Sequence, residues 1–233
     1  MNAPPDRPAP AAADPYAPTG TNLVVNEVYA SVQGESTYAG LPCVFVRLTG
    51  CNLRCVWCDT AHAFHEGDRR TVDGVAQQVL GFGLPLVEIT GGEPLLQPGV
   101  HRLMAMLADA GLTVLLETSG SLDIARVDPR VVRIVDVKCP GSGEAAKQRW
   151  ENLAHLRPHD ELKFVIAGRD DYEWARAQVR ERGLAERATV LFGPVWGALE
   201  PRRLVEWILA DRLPVRFQLQ QHKYVWPPET RGV

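Results

Sequence analysis

The sequence predicts an α/β protein built on a mainly parallel sheet. Apolar runs of strand length recur, helix-length segments separate them, and polar or glycine-bearing loops follow the runs. Strands are expected at 43–50, 86–90, 113–118, 131–138, 161–166 and 188–195, each rich in Val, Ile, Leu or Phe and closed by Gly, Pro or a polar residue. Their nearly continuous apolarity argues for cover on both faces, as parallel strands require. The first helix is expected at 72–80 behind Thr71, and the second at 99–110, stopping at Gly111. A third at 170–182 ends at Gly183, and a fourth at 201–210 opens with proline at a tolerated first position. Strand and helix alternate in the first and last parts of this series, which is the pattern of βα units.

The 233 residues are 45% hydrophobic, enough for an ordinary globular core. The first twenty differ: six prolines and six alanines with no hydrophobic period. Such a stretch buries too little apolar surface to offset its ordering entropy. A disordered arm is therefore expected over residues 1–22 and a single domain over 23–233. The arm has no apolar signal-peptide core, and no apolar run approaches the ~20 residues that cross a bilayer. A soluble, cytoplasmic protein is expected. A formal charge of −3 gives no electrostatic footprint for a long nucleic acid. Five cysteines, three of them crowded into eight positions, suit metal binding in a reducing compartment better than a disulfide framework.

In a parallel sheet, ligands sit where the loops leave the carboxyl ends of the strands. After the first predicted strand comes GCNLRCVWCDT, which spaces Cys51, Cys55 and Cys58 as C-x3-C-x2-C. Soft thiolates this close select zinc, copper(I) or an iron–sulfur cluster. Three thiolates on a four-iron cubane leave one iron free to chelate a substrate. Zinc stays open as an alternative, since His62 follows at C-x3-H and would complete a Cys3His set. After the second strand comes Gly91-Gly92-Glu93-Pro94, where adjacent glycines let the backbone approach a ligand closely.

Together these motifs resemble the 7-carboxy-7-deazaguanine synthase family of radical S-adenosylmethionine enzymes, which acts in queuosine biosynthesis. The resemblance rests on NEVYASVQGES (26–36), GLPCVFVRLTGCNLRCVWCDT (40–60), EITGGEPLLQ (88–97), ETSG (117–120), DVKCPGSG (136–143), LKFVI (162–166) and QLQQHKYVWPPETRGV (218–233). It implies a partial (β/α) barrel and a lyase that contracts 6-carboxy-5,6,7,8-tetrahydropterin to 7-carboxy-7-deazaguanine with loss of ammonia. The implied cofactors are a 4Fe-4S cluster on Cys51, Cys55 and Cys58, S-adenosyl-L-methionine, and Mg2+ on Thr60. By the same resemblance Gln33, Gly34, Glu35, Arg47, Thr90, His222 and the terminal Val233 contact substrate. Trp57, Cys58, Asp59, Gly92, Lys138 and Ser142 contact the cofactor. A homodimer and a flavodoxin or ferredoxin reductant are the implied partners.

Cys43 is read as a small core residue and Cys139 as structural; His62 and His65 are read as surface loop residues. His101, His155 and His159 are given no role, and Trp174 and Trp207 are read as core or interface. One departure stands out: Ser36 occupies a position where the family carries glycine, which restricts the loop bearing Glu35. The competing readings are a glycyl-radical activating enzyme and a zinc-binding interaction module.

Overall fold

The computed structural model describes residues 20–233, so the predicted arm lies outside the described residues except for its last three positions. The boundary set at residue 22 falls on the first residue of β1 (Asn22–Val32). The six expected strands form as β2 (Pro42–Leu48), β4 (Leu86–Gly91), β5 (Thr113–Thr118), β6 (Val132–Asp136), β7 (Glu161–Ile166) and β8 (Thr189–Pro194). Four expected helices form as α1 (Val72–Gly81), α2 (Gly99–Asp109), α3 (Arg169–Glu181) and α4 (Pro201–Asp211). The Thr71 hydroxyl caps α1 by accepting from Gly74 N at 3.1 Å. Val72, Val75, Ala76 and Val79 recur at helical spacing on its buried face, as do Val100, Leu103, Met104 and Leu107 on α2.

Three strands and one helix were not anticipated: β1, β3 (Asp68–Thr71), β9 (Arg216–Phe217) and α5 (His222–Val225). β1 pairs antiparallel with both β2 and β3, and many of its side chains are only half-buried, so it shows no apolar run. β3 and β9 are edge strands of four and two residues, too short for a sequence period. The sheet order is β3-β1-β2-β4-β5-β6-β7-β8-β9, and every pair from β2 to β9 is parallel. It curves without closing, as a partial barrel. The β6–β7 crossover carries short 3-10 turns where an α-helix would ordinarily run.

The main core lies between the helices and one face of the sheet, and takes in Val44, Val46, Ile89, Leu116, Leu162 and Phe164. On the other face, Cys43, Phe45, Leu86, Leu115, Val132 and Ile134 form a smaller cluster. Further along the strands that face turns polar: Arg47, Glu88, Thr90, Glu117, Asp136 and, on β7, Lys163. The expectation of two apolar faces therefore holds for the helix side only. The inner face is apolar at its base and becomes the floor of a cavity at the carboxyl ends.

Candidate active site

That cavity has a volume of about 650 Å³ and opens where β2, β4, β5, β6, β7 and β8 end. The cysteine loop forms one wall, with Cys51, Cys55, Trp57, Cys58, Asp59 and Thr60 all lining the space. The thiols are free and half-buried, and Cys58 Sγ lies 3.8 Å from Thr60 Oγ1. The loop is held by its backbone: Arg54 N donates to Glu144 Oε1 at 2.7 Å and Val56 N to Ser142 O at 3.1 Å. The Arg54 guanidinium sits 4.2 Å from the Phe64 ring centroid.

The Gly-Gly-Glu turn after β4 locks the same loop from the other side. Gly92 N donates to Leu48 O at 3.1 Å and Glu93 N to Gly50 O at 2.8 Å. A Cβ at Gly92 would stand 2.2 Å from Gly50 O, so the glycine is demanded by contact with the cysteine loop before any ligand is considered. Glu93 is fully buried, and its carboxylate accepts from the Thr118 hydroxyl, Ser119 N, Ser119 Oγ and Leu95 N at 2.6–3.0 Å. One carboxylate thus ties the ends of β4 and β5 behind the cysteine loop. Sequence reading passed over it.

Arg47 reaches the cavity from β2. Its Nε donates to Glu27 Oε1 at 2.7 Å and a terminal nitrogen to the Tyr29 hydroxyl at 3.0 Å. A bulge in β1 creates this arrangement: Val25 pairs with Leu48, yet Glu27 pairs with Arg47, so Asn26 is the extra residue. The shift turns Glu27 and Tyr29 from the helix side to the cavity side. His62 packs beside them, 3.8 Å from Glu27 Oε1, with its Nε2 buried and unpartnered. Burial, with Arg231 and Arg47 nearby, lowers its pKa and favours the neutral ring. His62 was expected on the surface; in the structure it belongs to the wall of the cavity. Turned toward Glu27, it does not complete a Cys3His set. Among the described residues no three Cys, His, Asp or Glu side chains converge on a single-ion site. Three thiols on one loop, facing open space without a fourth protein donor, fit a cluster with one exposed iron better than tetrahedral zinc.

Gln33, Gly34 and Glu35 line the cavity from the β1–β2 loop. Gln33 is buried; its amide nitrogen donates to Glu88 and its amide oxygen accepts from Glu35 N. Burial, reinforced by Glu117, pushes the Glu88 carboxyl well above the usual range and favours its neutral form. Glu35 runs the other way. Burial would raise it, but Lys163 and the Gln220 amide outweigh burial and hold it lowered. Ser36 has φ +63°, the left-handed conformation that glycine adopts freely. Its N–H donates to Gln218 Oε1 at 2.9 Å and its hydroxyl accepts from Tyr38 N at 3.1 Å, which holds it there.

The C-terminal segment closes one side. Gln221 N donates to Gly34 O at 2.8 Å, and the His222 ring packs so closely on Gly34 that a Cβ there would lie 2.3 Å from Nδ1. The Lys223 side chain is largely covered and donates to Asp59 Oδ2 at 2.8 Å, linking the tail to the cysteine loop. Residues 228–233 follow along the cavity, so Val233 lines it too. Thr90, Gly92 and Lys138 complete the set, Lys138 paired with Asp136 at 2.7 Å. Ser142 stands apart from the predicted residues. It is fully buried outside the lining, its hydroxyl is bonded to Cys139 O at 2.6 Å, and its carbonyl secures Val56. Its role in this structure is to hold the cysteine loop rather than to touch a ligand with its side chain.

Glu88, Glu117, Asp136 and Lys163 were missed as site residues. A signal was present: Glu88 and Glu117 are lone charges inside otherwise apolar strands, and Asp136 and Lys163 are charges at positions where a buried strand would ordinarily be apolar. Cys43 and Cys139 are buried in the two clusters, as read.

Comparison with known proteins agrees with this geometry. The family model of the Radical SAM superfamily matches residues 45–135, from β2 into β6. A protein of Chlorobaculum tepidum named 7-carboxy-7-deazaguanine synthase is 49% identical over 218 residues, covering 92% of this chain and 99% of its own. One of the same name from Koribacter versatilis is 47% identical, covering 91% and 100%. Among solved structures, QueE from Escherichia coli superposes with a TM-score of 0.72 at 22% identity, over 86% of this chain and 95% of that one. That likeness supports the fold, and the two relatives support the lineage across nearly their full length: the chain belongs to the 7-carboxy-7-deazaguanine synthase family of the Radical SAM superfamily.

Proposed function

We propose that the chain converts 6-carboxy-5,6,7,8-tetrahydropterin to 7-carboxy-7-deazaguanine with release of ammonia. The observation that carries this reading is that three thiols on one loop and the polar inner face of the sheet open on one cavity. Cys51, Cys55 and Cys58 would hold the 4Fe-4S cluster, leaving an iron for the amino and carboxylate groups of S-adenosylmethionine. When bound, that pair supplies a 5′-deoxyadenosyl radical. Trp57 and Gly92 flank the place for the cofactor, with Asp59 and Lys138 beside them. Arg47, steadied by Glu27 and Tyr29, presents a fork for the substrate carboxylate. Glu35, Gln33 and Thr90 face the N–H-rich edge of the pterin, and His222 and Val233 cover it from the tail. Thr60 would give Mg2+ one hydroxyl ligand, with water and the substrate carboxylate completing the octahedron.

Residues 23–233 would act as one domain in a cytoplasmic homodimer, with a flavodoxin or ferredoxin as reductant and neither nucleic acid nor membrane as partner. No helix among the described residues is long and apolar enough to cross a membrane, and their five cysteines are unpaired. The test is anaerobic purification followed by incubation with the carboxytetrahydropterin, S-adenosylmethionine, Mg2+ and reductant. A brown protein that releases the deazaguanine and ammonia supports the reading. A colourless zinc protein, or cofactor cleavage without the deazaguanine, overturns it. Thr60→Ala is expected to lose most of the stimulation by Mg2+, measured as rate against metal concentration; undiminished stimulation removes that role.

A further inference from the structure

The floor of the cavity holds a buried cation that the reading above leaves without a task. Lys163, on β7, is 5% exposed. Its ammonium donates to Glu35 Oε2 at 3.0 Å and to Glu117 Oε1, and lies 3.7 Å from Asp136. Asp136 already has Lys138 at 2.7 Å. Glu35 and Glu117 have no such second cation and share the Lys163 ammonium. Each carboxylate is also fixed by a neutral donor: Gln220 Nε2 reaches Glu35 Oε1 at 2.9 Å, and Thr90 Oγ1 reaches Glu117 Oε2 at 3.2 Å. These groups come from the β1–β2 loop, β4, β5 and the tail, and Lys163 is where they meet.

We propose that Lys163 is a positioning residue for the substrate, holding Glu35 and Glu117 side by side as acceptors for neighbouring N–H groups of a 2-amino-4-oxo heterocycle. The role rests on the functional reading above. One ammonium shared by two carboxylates neutralises the floor only in part, so lone pairs and negative charge remain for donors on a ligand. Burial works to lower the Lys163 pKa, but Glu117 and Glu35 more than reverse it. The amine therefore stays protonated and serves as neither general base nor nucleophile. Other charged groups face this network: Glu88 from β4, Asp59 from the cysteine loop and His222 from α5. Glu161, on the same strand, is bonded to Thr37 instead. With Lys163 gone, burial dominates at Glu35 and a proton goes onto its carboxylate. An acceptor then becomes an O–H that faces the ligand's N–H.

The test compares Lys163→Met, Lys163→Gln and Lys163→Arg with the wild-type holoenzyme. Iron content and S-adenosylmethionine affinity are expected within about twofold of wild type, because no bond runs from Lys163 to the cysteine loop. At neutral pH the neutral variants should lose about 100-fold in kcat/KM, mainly through KM, as for a buried donor set against a donor. Their loss should shrink as pH rises, and Lys163→Arg should recover most of it. Infrared spectra taken without substrate should show an additional protonated-carboxyl band in Lys163→Met or, should methionine disturb folding, in Lys163→Gln. Folded neutral variants with neither the extra band nor a changed pH profile would overturn the proposal. If the band appears but wild-type enzyme does not convert the pterin, the positioning role stands and the substrate assignment falls.

Discussion

At the scale of single residues, two positions carry unusual states that stability measurements can read. Ser36 stands at φ +63°, where an L side chain costs about 1–2 kcal/mol relative to ordinary backbone. Its hydroxyl offsets part of that cost by accepting from Tyr38 N. Alanine keeps the cost and loses the bond, so Ser36→Ala should be about 1 kcal/mol less stable. Ser36→Gly relieves the backbone but loosens the unfolded chain, and should stay within about 0.5 kcal/mol of wild type. Urea titration of the three proteins checks the order. Glu88 is the second position. Its folded pKa is raised by burial and Glu117, so its contribution is fully present below the unfolded value and is lost as pH rises through the folded one. Glu88→Gln keeps an oxygen for the Gln33 amide and never ionises. Its stability should decline less than wild type between the normal glutamate range and alkaline pH, as chemical denaturation at several pH values would show.

At the scale of elements, the parts that shape the cavity are bent or tied out of regular secondary structure. The Asn26 bulge moves Glu27 and Tyr29 across the sheet, and without it the strand alternation would aim Glu27 at the helices. The tail is held by a few polar links, chiefly Lys223 with Asp59, Gln220 with Glu35, and Gln221 with Gly34. Tyr224 and Val225 are exposed beside them, so little apolar burial secures the tail. Lys223→Ala should therefore free the tail while leaving the sheet folded. Chymotrypsin should cut at Tyr224 about fivefold faster than in wild type, the factor expected from ~1 kcal/mol of lost local stability; Trp226 is protected by the following Pro227. An unchanged cleavage rate would show that the link does not hold the tail.

At the scale of the whole molecule, the inner face concentrates opposite pH responses in one place. Glu35 is lowered because Lys163 outweighs burial, so the stability it lends is present above the ordinary carboxylate range and lost as pH falls through its folded pKa. Glu88 loses its contribution in the other direction. The wild-type stability curve should thus fall on both sides of a maximum, with Glu35→Gln flattening the acid limb and Glu88→Gln the alkaline one. Denaturant titrations from acid to alkaline pH would expose each limb separately.

How much of this was legible depends on the range of the interactions involved. The six strands and four helices between 42 and 211 were readable to within two residues at each end, because local apolar period and capping encode them. The cysteine spacing, the double glycine and the QGES, DVK and HK motifs were readable as chemistry, since each lies in one short stretch. β1 hid because a bulge breaks its alternation and an antiparallel edge leaves it half-polar. His62 and Ser142 looked plausible in the roles first given them; one was turned inward by Glu27 and Arg47, the other spent its hydroxyl on its own turn. Sequence alone settled the α/β class, the family and the thiol loop, all properties of contiguous residues. Only the tertiary structure decided that Lys163 serves both Glu35 and Glu117, that Glu93 binds two strand ends, and that Lys223 reaches Asp59. Those partners lie 25 to 164 positions apart, and only the folded sheet brings them within a hydrogen bond.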